Sequence, residues 1–405
     1  MPPQDFPPGT ALVGGAVRDA LLNRLPLAPD LDVVLPGDAV AACRDLRRQH
    51  GGSAVVLDAE RSIARLVLNG WTIDLARQDG DSLQGDLQRR DYTINAMALP
   101  LLAPDRLVDP LGGLAHLSRG ELVAVAEANL LDDPLRLLRG LRLACELNFQ
   151  LEPRTKTWIQ AHREALATVA GERVLAELEK MAAAPAGGEG LAQVLQSGLL
   201  SPWLTGKAQG AAATEPESDL ALLQTLSQAS AEILGLTAAE AETALPLARL
   251  AALLDGPALQ RLRSSRRLQQ RVERLRYWRR QLGPADTAAQ AAAALPEPQR
   301  FQLHRQLEDD LSALLLGWTQ PGAQSWLKRW RRHDDPLFHP RPAIDGNTLQ
   351  RALQVQPSPQ LGQLLDHLML EQAFGRLNGA EACLQCARTW LKSHQSEATG
   401  ARRCD

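Results

Sequence analysis

Aromatic residues are scarce in this 405-residue chain, at 4 % of the total. Leu, Ala and Arg dominate instead, a composition that favours a mostly helical protein. No run of 18 apolar residues occurs, so no transmembrane helix is expected. The opening Met1 to Thr10 has neither a basic n-region nor an apolar h-region, and does not read as a secretory signal. The cysteines number five, scattered and odd. A disulfide framework is therefore disfavoured, and a reducing cytoplasmic setting is expected. Cys383 and Cys386 form a lone CxxC with no partner pair and no histidines at ligand spacing. They read as two thiols on a helix rather than a zinc site. The net charge of −3 gives no strong overall field, so a polyanionic partner would need a local patch.

The length implies about two to four domains. Residues 1–10 read as a flexible, proline-rich lead-in. From 11 to 125, short apolar runs alternate with turn signals. Ala54–Asp58, Ile63–Leu68 and Trp71–Ala76 read as strands, and Asn69-Gly70 between the last two is a hairpin turn. Helices are expected near 16–24 and 38–50. This is an α/β head with a small, partly antiparallel sheet. After about residue 126 the strand signals stop, and helical segments are expected over 126–200, 201–335 and 336–405, an α+β protein overall. Breaks are expected at Thr205–Ser218, in the Ala-rich 283–298, and around Pro336–Pro342.

Four constellations could carry chemistry. The first is Gly14, Gly15, Arg18, Asp19, Asp30 and Asp32. Asp30 and Asp32 are two apart before a β-branched run, so strand alternation puts both carboxylates on one side. Two hard oxygen ligands suit Mg²⁺ when substrate phosphates supply further ligands. The glycines let backbone N–H groups approach phosphates, and Arg18 can pair with them. Metal-assisted phosphoryl or nucleotidyl transfer fits this set, whereas either motif alone is also what an ordinary turn and solvated aspartates would give. Asp74, on the strand after the hairpin, is a candidate third carboxylate or a plain surface residue. The second is Arg90, Asp91 and Asn95 at the start of an expected helical run, where Asp91 and Asn95 share a face. They suit a ribose, a phosphate or a base edge, or mere helix capping. The third is Asp133, Arg136, Arg139 and Arg142, a carboxylate followed by a ladder of guanidiniums without acidic i+4 partners. The fourth is Arg261 to Arg280, with nine arginines against one glutamate. It includes Arg271, Arg274, Arg276, Arg279 and Arg280. Lys328, Arg329, Arg331 and Arg332 interleave with Trp326 and Trp330 further on. Basic helices of this kind suit an RNA backbone, although a solvated face is the usual fate of a charge run.

Together these segments resemble the class II tRNA nucleotidyltransferase family, which includes CCA-adding enzymes and bacterial poly(A) polymerases. The resemblance rests on Leu12-Val-Gly-Gly-Ala-Val-Arg-Asp, Asp30-Leu-Asp, Arg89-Arg-Asp-Tyr-Thr-Ile-Asn-Ala, Asp109-Pro-Leu-Gly-Gly, Asp132-Asp-Pro-Leu-Arg-Leu-Leu-Arg and Glu172-Arg-Val-Leu-Ala-Glu-Leu. They occur in the family's order and cover residues 12 to about 180. The resemblance implies a nucleotidyltransferase head followed by helical neck, body and tail. It implies Mg²⁺ on Asp30 and Asp32, a triphosphate cradled by the Gly-Gly turn and Arg18, and Arg90, Asp91 and Asn95 against the nucleotide. Asp133 and Arg136 would read the base edge in place of a template. CTP and ATP would be substrates, and the acceptor–TΨC arm of tRNA would be gripped by the helical part. No membrane and no protein partner is implied. Family members that add all of CCA carry a flexible loop before the Arg-Arg-Asp segment. Here the stretch from Leu75 to Arg89 is about a dozen residues short of that, which implies addition of the two cytidines alone. The rivals are a poly(A) polymerase with the same head and a catalytically silent RNA-binding protein.

Overall fold

The computed structural model describes residues 1–204, 216–319 and 321–400. Two compact units divide the chain, Met1–Thr205 and Gly206–Asp405. The linker expected at Thr205–Ser218 lies almost wholly outside the described residues, and a helix spans Pro216–Thr225.

The first unit begins with a six-stranded mixed sheet. Its strands are β1 (Ala11–Val13), β2 (Asp30–Leu35), β3 (Ser53–Asp58), β4 (Ile63–Leu68), β5 (Trp71–Arg77) and β6 (Ala98–Pro100), in the spatial order β3-β4-β5-β2-β1-β6. The β2–β5 pair is parallel and the other neighbours are antiparallel. The β4–β5 hairpin turns on Asn69 and Gly70, both at positive φ (50° and 82°), as a tight hairpin turn requires. α1 (Gly15–Leu21) follows β1, and α2 (Ala39–His50) follows β2. The Asp38 carboxylate caps α2 by accepting from the N–H groups of Val40 and Ala41.

Alternation along the strands then decides which residues meet. Val33, Leu35, Ala64, Leu66, Ile73 and Leu75 pack with Ala42, Cys43 and Leu46 of α2. Truncating one of these buried leucines to Ala would cost about 2–5 kcal/mol. The intervening residues point to the other face, where Asp32 stands opposite Asp74 and Asp74 opposite Arg65. That face is polar at Asp32, Asp74 and Arg65, while Val34 on it packs with Ala11, Val13, Leu87, Ala96 and Ala98.

The lead-in, expected to be flexible, is docked. Residues 3–5 form a 3₁₀ turn, Phe6 packs against the α2 core, and Asp5 Oδ2 lies 2.7 Å from His50 Nε2. A second correction concerns the run after Asp91. The expected helix is only a 3₁₀ turn, Thr93–Asn95, before the chain enters β6. Strand structure also persists past residue 126, because β7 (Glu121–Leu122) pairs with β8 (Gln150–Leu151).

Helices complete this unit: α3 (Leu83–Gln88), α4 (Gly113–Arg119), α5 (Glu127–Asp132), α6 (Leu135–Leu147), α7 (Pro153–Ala161), α8 (Gly171–Ala183) and α9 (Gly187–Ser197). α6 packs on α8 and α9. Its N-terminal half leans on the head, where the buried Tyr92 hydroxyl donates to Arg136 O at 2.7 Å. Gly140 makes this fit possible: a Cβ there would lie 2.1 Å from the Tyr92 hydroxyl.

The second unit is helical throughout its described residues. Helix Ala238–Leu253 packs against Arg266–Leu282 and Leu311–Leu315. The Ala-rich stretch expected as a break contains a short helix, Ala288–Ala294, while no helix lies between Trp330 and Gly346. His304 is buried between Trp326 and Phe338, with ring centroids 4.9 and 4.0 Å away, and neither ring nitrogen has a partner. Burial first, and nearby Arg329 second, pull its pKa down to about 3, so it is a neutral core residue. Helices Gly346–Leu353, Pro359–Ala373 and Gly379–Gly400 enclose a separate small core around Leu349, Leu364, Leu368 and Cys383. No helix among the described residues is long and apolar enough to cross a membrane.

Candidate active site

The β1–α1 turn presses its backbone against the β2 carboxylates. Gly14 has φ 74° and ψ −141°, a conformation that favours glycine. A Cβ on Gly14 would stand 3.0 Å from Asp32 Oδ2 and 3.4 Å from Arg90 Nη1. Any other residue would push into the carboxylate. Gly15 opens α1 beside the Arg18 guanidinium, whose Nη2 would lie 3.6 Å from a Cβ placed there.

Asp30 and Asp32 are both exposed on the polar face. Asp32 nevertheless lines a cleft. Desolvation there raises its carboxyl above the ordinary range; Arg90 and Arg139 oppose the rise, and Asp74 and Asp30 add to it. Asp74 does stand beside Asp32, as strand adjacency would allow. Its two oxygens are occupied, however, accepting from Arg65 Nε at 2.7 Å and Nη2 at 2.8 Å. Among the described residues, no group of three or more His, Cys, Asp or Glu side chains is arranged to hold a metal ion. The Asp30–Asp32 pair is the candidate donor set. Two hard oxygens leave further positions for phosphate oxygens, so the pair fits a hard divalent cation.

Behind the pair runs a continuous buried network. Arg18 donates from Nη1 to Asn95 Oδ1 at 2.8 Å, and from Nε and Nη2 to the two oxygens of Asp19 at 2.8 and 3.0 Å. Asn95 Nδ2 donates to Asp91 Oδ1 at 3.2 Å, and the Tyr92 N–H donates to the same oxygen at 2.8 Å. Asp91 Oδ2 accepts from Arg139 Nε at 3.0 Å and pairs with Nη2 at 2.9 Å. Burial alone would raise the Asp91 carboxyl, but the Arg139 charge, Asn95 and the Tyr92 N–H hold it below its usual range. Asp91 and Asn95 thus meet through a 3₁₀ turn rather than along a helix face.

The Arg89–Asp91 segment is clamped from the helical side. Asn129 Nδ2 donates to Gln88 O and Arg90 O, both at 2.8 Å. Arg136 Nη1 donates to Arg89 O and Asn129 O, both at 2.9 Å. Arg90 is aimed by Asp86, whose Oδ2 accepts from its Nε and Nη2 at 3.1 and 2.9 Å.

Two cavities of about 400 and 530 Å³ meet at Asp32, Arg90, Asp91 and Arg139. The first is lined by Gly14, Gly15, Arg18, Asp30, Asn95 and Arg142. The second is lined by Asp74, Asp133, Arg136 and Arg173. Every head residue singled out from sequence therefore converges on one cleft.

Two residues of that set carry internal duties. Asp133 follows α5, with Oδ1 accepting from the N–H of Leu135, the first residue of α6, at 3.3 Å. Its Oδ2 accepts from Arg173 Nη2 at 2.8 Å. Arg142 does have an acidic i+4 partner, Glu146, contrary to the expectation, and it also donates to the buried Glu177 at 2.5 Å. It rivets α6 to α8 while its side chain borders the cleft.

The arginine helix of the second unit is less free than its sequence suggests. Arg271 pairs with Asp310 at 2.6 Å, and Arg276 Nη1 donates to Ala251 O at 2.7 Å. Arg279 reaches Ala248 O at 3.4–3.5 Å. Arg274 and Arg280 are exposed. Arg329 and Arg331 are likewise paired, with Asp335 and Glu240.

Comparison with known proteins gives this cleft a context. Residues 10–123 match the poly(A) polymerase head domain model, and residues 148–206 match the model described as the probable RNA- and SrmB-binding site of polymerase A. The CC-adding tRNA nucleotidyltransferase of Synechocystis is 34 % identical over 403 residues, covering 96 % of this chain and 95 % of that protein. The chain belongs to the class II tRNA nucleotidyltransferase family. It is a nucleotidyltransferase. The Thermus thermophilus relative, also a CC-adding tRNA nucleotidyltransferase, is 33 % identical over 444 residues, covering 96 % of this chain and 95 % of that protein. The fold agrees with a Bacillus stearothermophilus CCA-adding enzyme solved in complex with CTP, with TM-score 0.69 and 22 % identity over 96 % of this chain and 94 % of that one. It also agrees with a Thermotoga maritima CCA-adding enzyme solved with tRNA, with TM-score 0.66 and 22 % identity over 94 % and 91 %.

Sequence reasoning missed Asp86, Asn129 and Arg173, which hold Arg90, the Arg89–Asp91 backbone and Asp133. Arg173 lies in the Glu172-Arg segment that helped to carry the family resemblance, so its importance was signalled without its partner. Nothing in the spacing of Asn129 points to its two carbonyls.

Proposed function

We propose that this nucleotidyltransferase extends the 3′ end of tRNA without a template, taking cytidylates from CTP and stopping after two. The carrying observation is the path from β5 to Arg89. After Arg77 it is a five-residue turn, Gln78–Ser82, followed by the six-residue α3. That path is tied down at both ends. Gln78 N donates to Leu35 O at 2.9 Å, Asp79 N donates to Asp86 Oδ1 at 2.9 Å, and Arg89 pairs with Asp79 at 2.6 Å. So short and anchored a segment has no length for a loop that could reorganise the cleft to accept a second base. The relatives from Synechocystis, Thermus thermophilus and Geobacter sulfurreducens, each named as CC-adding, support the same reading.

In this reading Asp30 and Asp32 hold Mg²⁺, which when bound lowers the pKa of the primer 3′-hydroxyl and neutralises charge on the departing pyrophosphate. The Gly14–Gly15 backbone and Arg90 face the triphosphate. Arg18, Asn95, Asp91 and Arg139 keep that wall in place and exclude water. Arg136 spends Nη1 on two carbonyls, which leaves Nε and Nη2 to donate to the acceptor edge of cytosine. Asp133 retains lone pairs that can accept from the cytosine N4 amino group. Uracil offers a carbonyl there, so the Asp133 oxygen would meet another acceptor and the pairing would fail.

The test is extension of a tRNA lacking its CCA end, with CTP and ATP supplied separately and together. The expected product is longer by two cytidines under every condition that includes CTP. A terminal adenosine added by the purified enzyme would refute the stop, and no extension at all would refute the substrate.

A further inference from the structure

The second unit contains a cavity of about 450 Å³ on which Arg276, Arg279 and Arg280 converge. The rest of its wall is largely apolar, with Leu222, Leu314 and Trp318, and among the described residues Asp219 is the one carboxylate lining it. Three guanidiniums bring fifteen N–H donors to this place, by the side-chain inventory of five each. Among the described residues, Arg276 and Arg279 direct few of theirs to acceptors. Arg276 spends one donor on Ala251 O at 2.7 Å. Arg279 shares the single carbonyl of Ala248 between two donors, at the long distances of 3.5 and 3.4 Å. Its Nε is buried and has no partner. A confined cation so poorly served by acceptors is costly unless an anion completes it. Burial, with repulsion from Arg276, brings the Arg279 pKa down to about 10, in keeping with a guanidinium short of counter-charge.

We propose that this cavity is a phosphate-binding site. Guanidiniums match phosphate oxygens in fork geometry, and three converging on one apolar-walled cavity suit a doubly or singly charged phosphate group better than a carboxylate. The group comes either from the RNA backbone or from free phosphate. The RNA form rests on the function proposed above; the free-ion form does not. The site also sorts the arginine helix: Arg276, Arg279 and Arg280 serve an anion, whereas Arg271 serves Asp310.

The test uses the full chain with inorganic phosphate as probe and chloride at equal ionic strength as control. Hydrogen–deuterium exchange is followed in peptides covering 266–285 and 311–319, so binding in the head cleft does not contribute. Phosphate is expected to slow exchange in both peptides. Arg280→Ala, an exposed position that leaves the core untouched, is expected to weaken the effect about tenfold, in line with loss of a charged hydrogen bond. Absence of phosphate-dependent protection in the wild type overturns the proposal, and so does equal protection in Arg280→Ala and Arg276→Ala. The salt dependence of tRNA binding then separates the sources. A slope shallower by about one in the Arg280→Ala variant assigns the site to an RNA phosphate, and an unchanged slope with retained phosphate protection assigns it to the free ion. If tRNA is not a substrate at all, the exchange experiment still decides the site.

Discussion

Asp91→Asn is the perturbation whose effect follows most directly from the geometry. The side chain keeps its size and its Oδ1 partners, Tyr92 N and Asn95, but loses its charge beside Arg139. Removing one partner of a buried ion pair costs about 3–5 kcal/mol. Arg139 keeps 34 % of its side chain exposed against 8 % for Asp91, so water can take over part of the guanidinium and the lower end applies. We expect about 3 kcal/mol, which raises local opening roughly a hundredfold. Hydrogen–deuterium exchange in peptides covering 87–100 and 135–147 measures it, which avoids assuming that two units unfold as one. Replacing Arg139 by Gln in the same chain should recover most of the loss, because a neutral pair leaves no stranded charge. The pH dependence has a definite sign. The folded Asp91 pKa is depressed, so its contribution is complete above the unfolded value of 3.8 and disappears as pH falls through the lower folded value. Wild-type exchange rates in Asp91→Asn would refute the network.

Gly14→Ala would place a methyl 3.0 Å from Asp32 Oδ2 at a positive φ, so nucleotide incorporation should fall by about tenfold or more through kcat with the fold intact; unchanged kcat with normal circular dichroism would count against the close approach. Arg136→Ala and Asp133→Ala should lower the CTP-over-UTP preference by about tenfold or more while tRNA binding holds; competition between the two nucleotides measures this, and an unmoved preference would remove both residues from base reading. His304 stays neutral in the folded chain down to about 3, whereas the unfolded chain takes up its proton below 6.5. The unfolded state then binds more protons in that window, so stability falls with pH, by roughly 2 kcal/mol between pH 7 and pH 5. Urea denaturation of His304→Phe at the two pH values should show a loss smaller by that amount, and an equal loss would mean that the ring is protonated in place.

The head was legible because its signals are local. Alternation in Asp30-Leu-Asp-Val-Val-Leu places the carboxylates, and Asn69-Gly70 places the hairpin that brings Asp74 beside them. The strand order that puts Asp74 opposite Asp32 was not legible, since it depends on a parallel pairing across more than thirty residues of chain. The run after Asp91 looked helical by spacing, but Tyr92 is drawn into the core and the segment must turn into β6, which leaves room for one 3₁₀ turn. The arginine helix misled in a different way. A charge run shows donors but not acceptors, and the Ala248 and Ala251 carbonyls and Asp310 come from other helices. Pairing partners such as Arg173 for Asp133 and Asn129 for the Arg89–Asp91 backbone are long-range facts that no spacing rule supplies.

The clamp made by Asn129 and Arg136 has a consequence for how this cleft can evolve. Arg136 holds the backbone of Arg89 with the same guanidinium that borders the cavity lined by Asp133 and Arg173, and the next residue, Arg90, lines both cavities. In the proposed function, selection of the base and seating of the phosphates would therefore be cast in one mould. Exchanging Asp133 or Arg136 alone is expected to weaken the preference for CTP without installing a new one, because a substitution that frees Arg136 also loosens Arg89. Variants with altered preference should instead arise in pairs, one change at the base and one at Asn129 or its carbonyl partners to reset the grip.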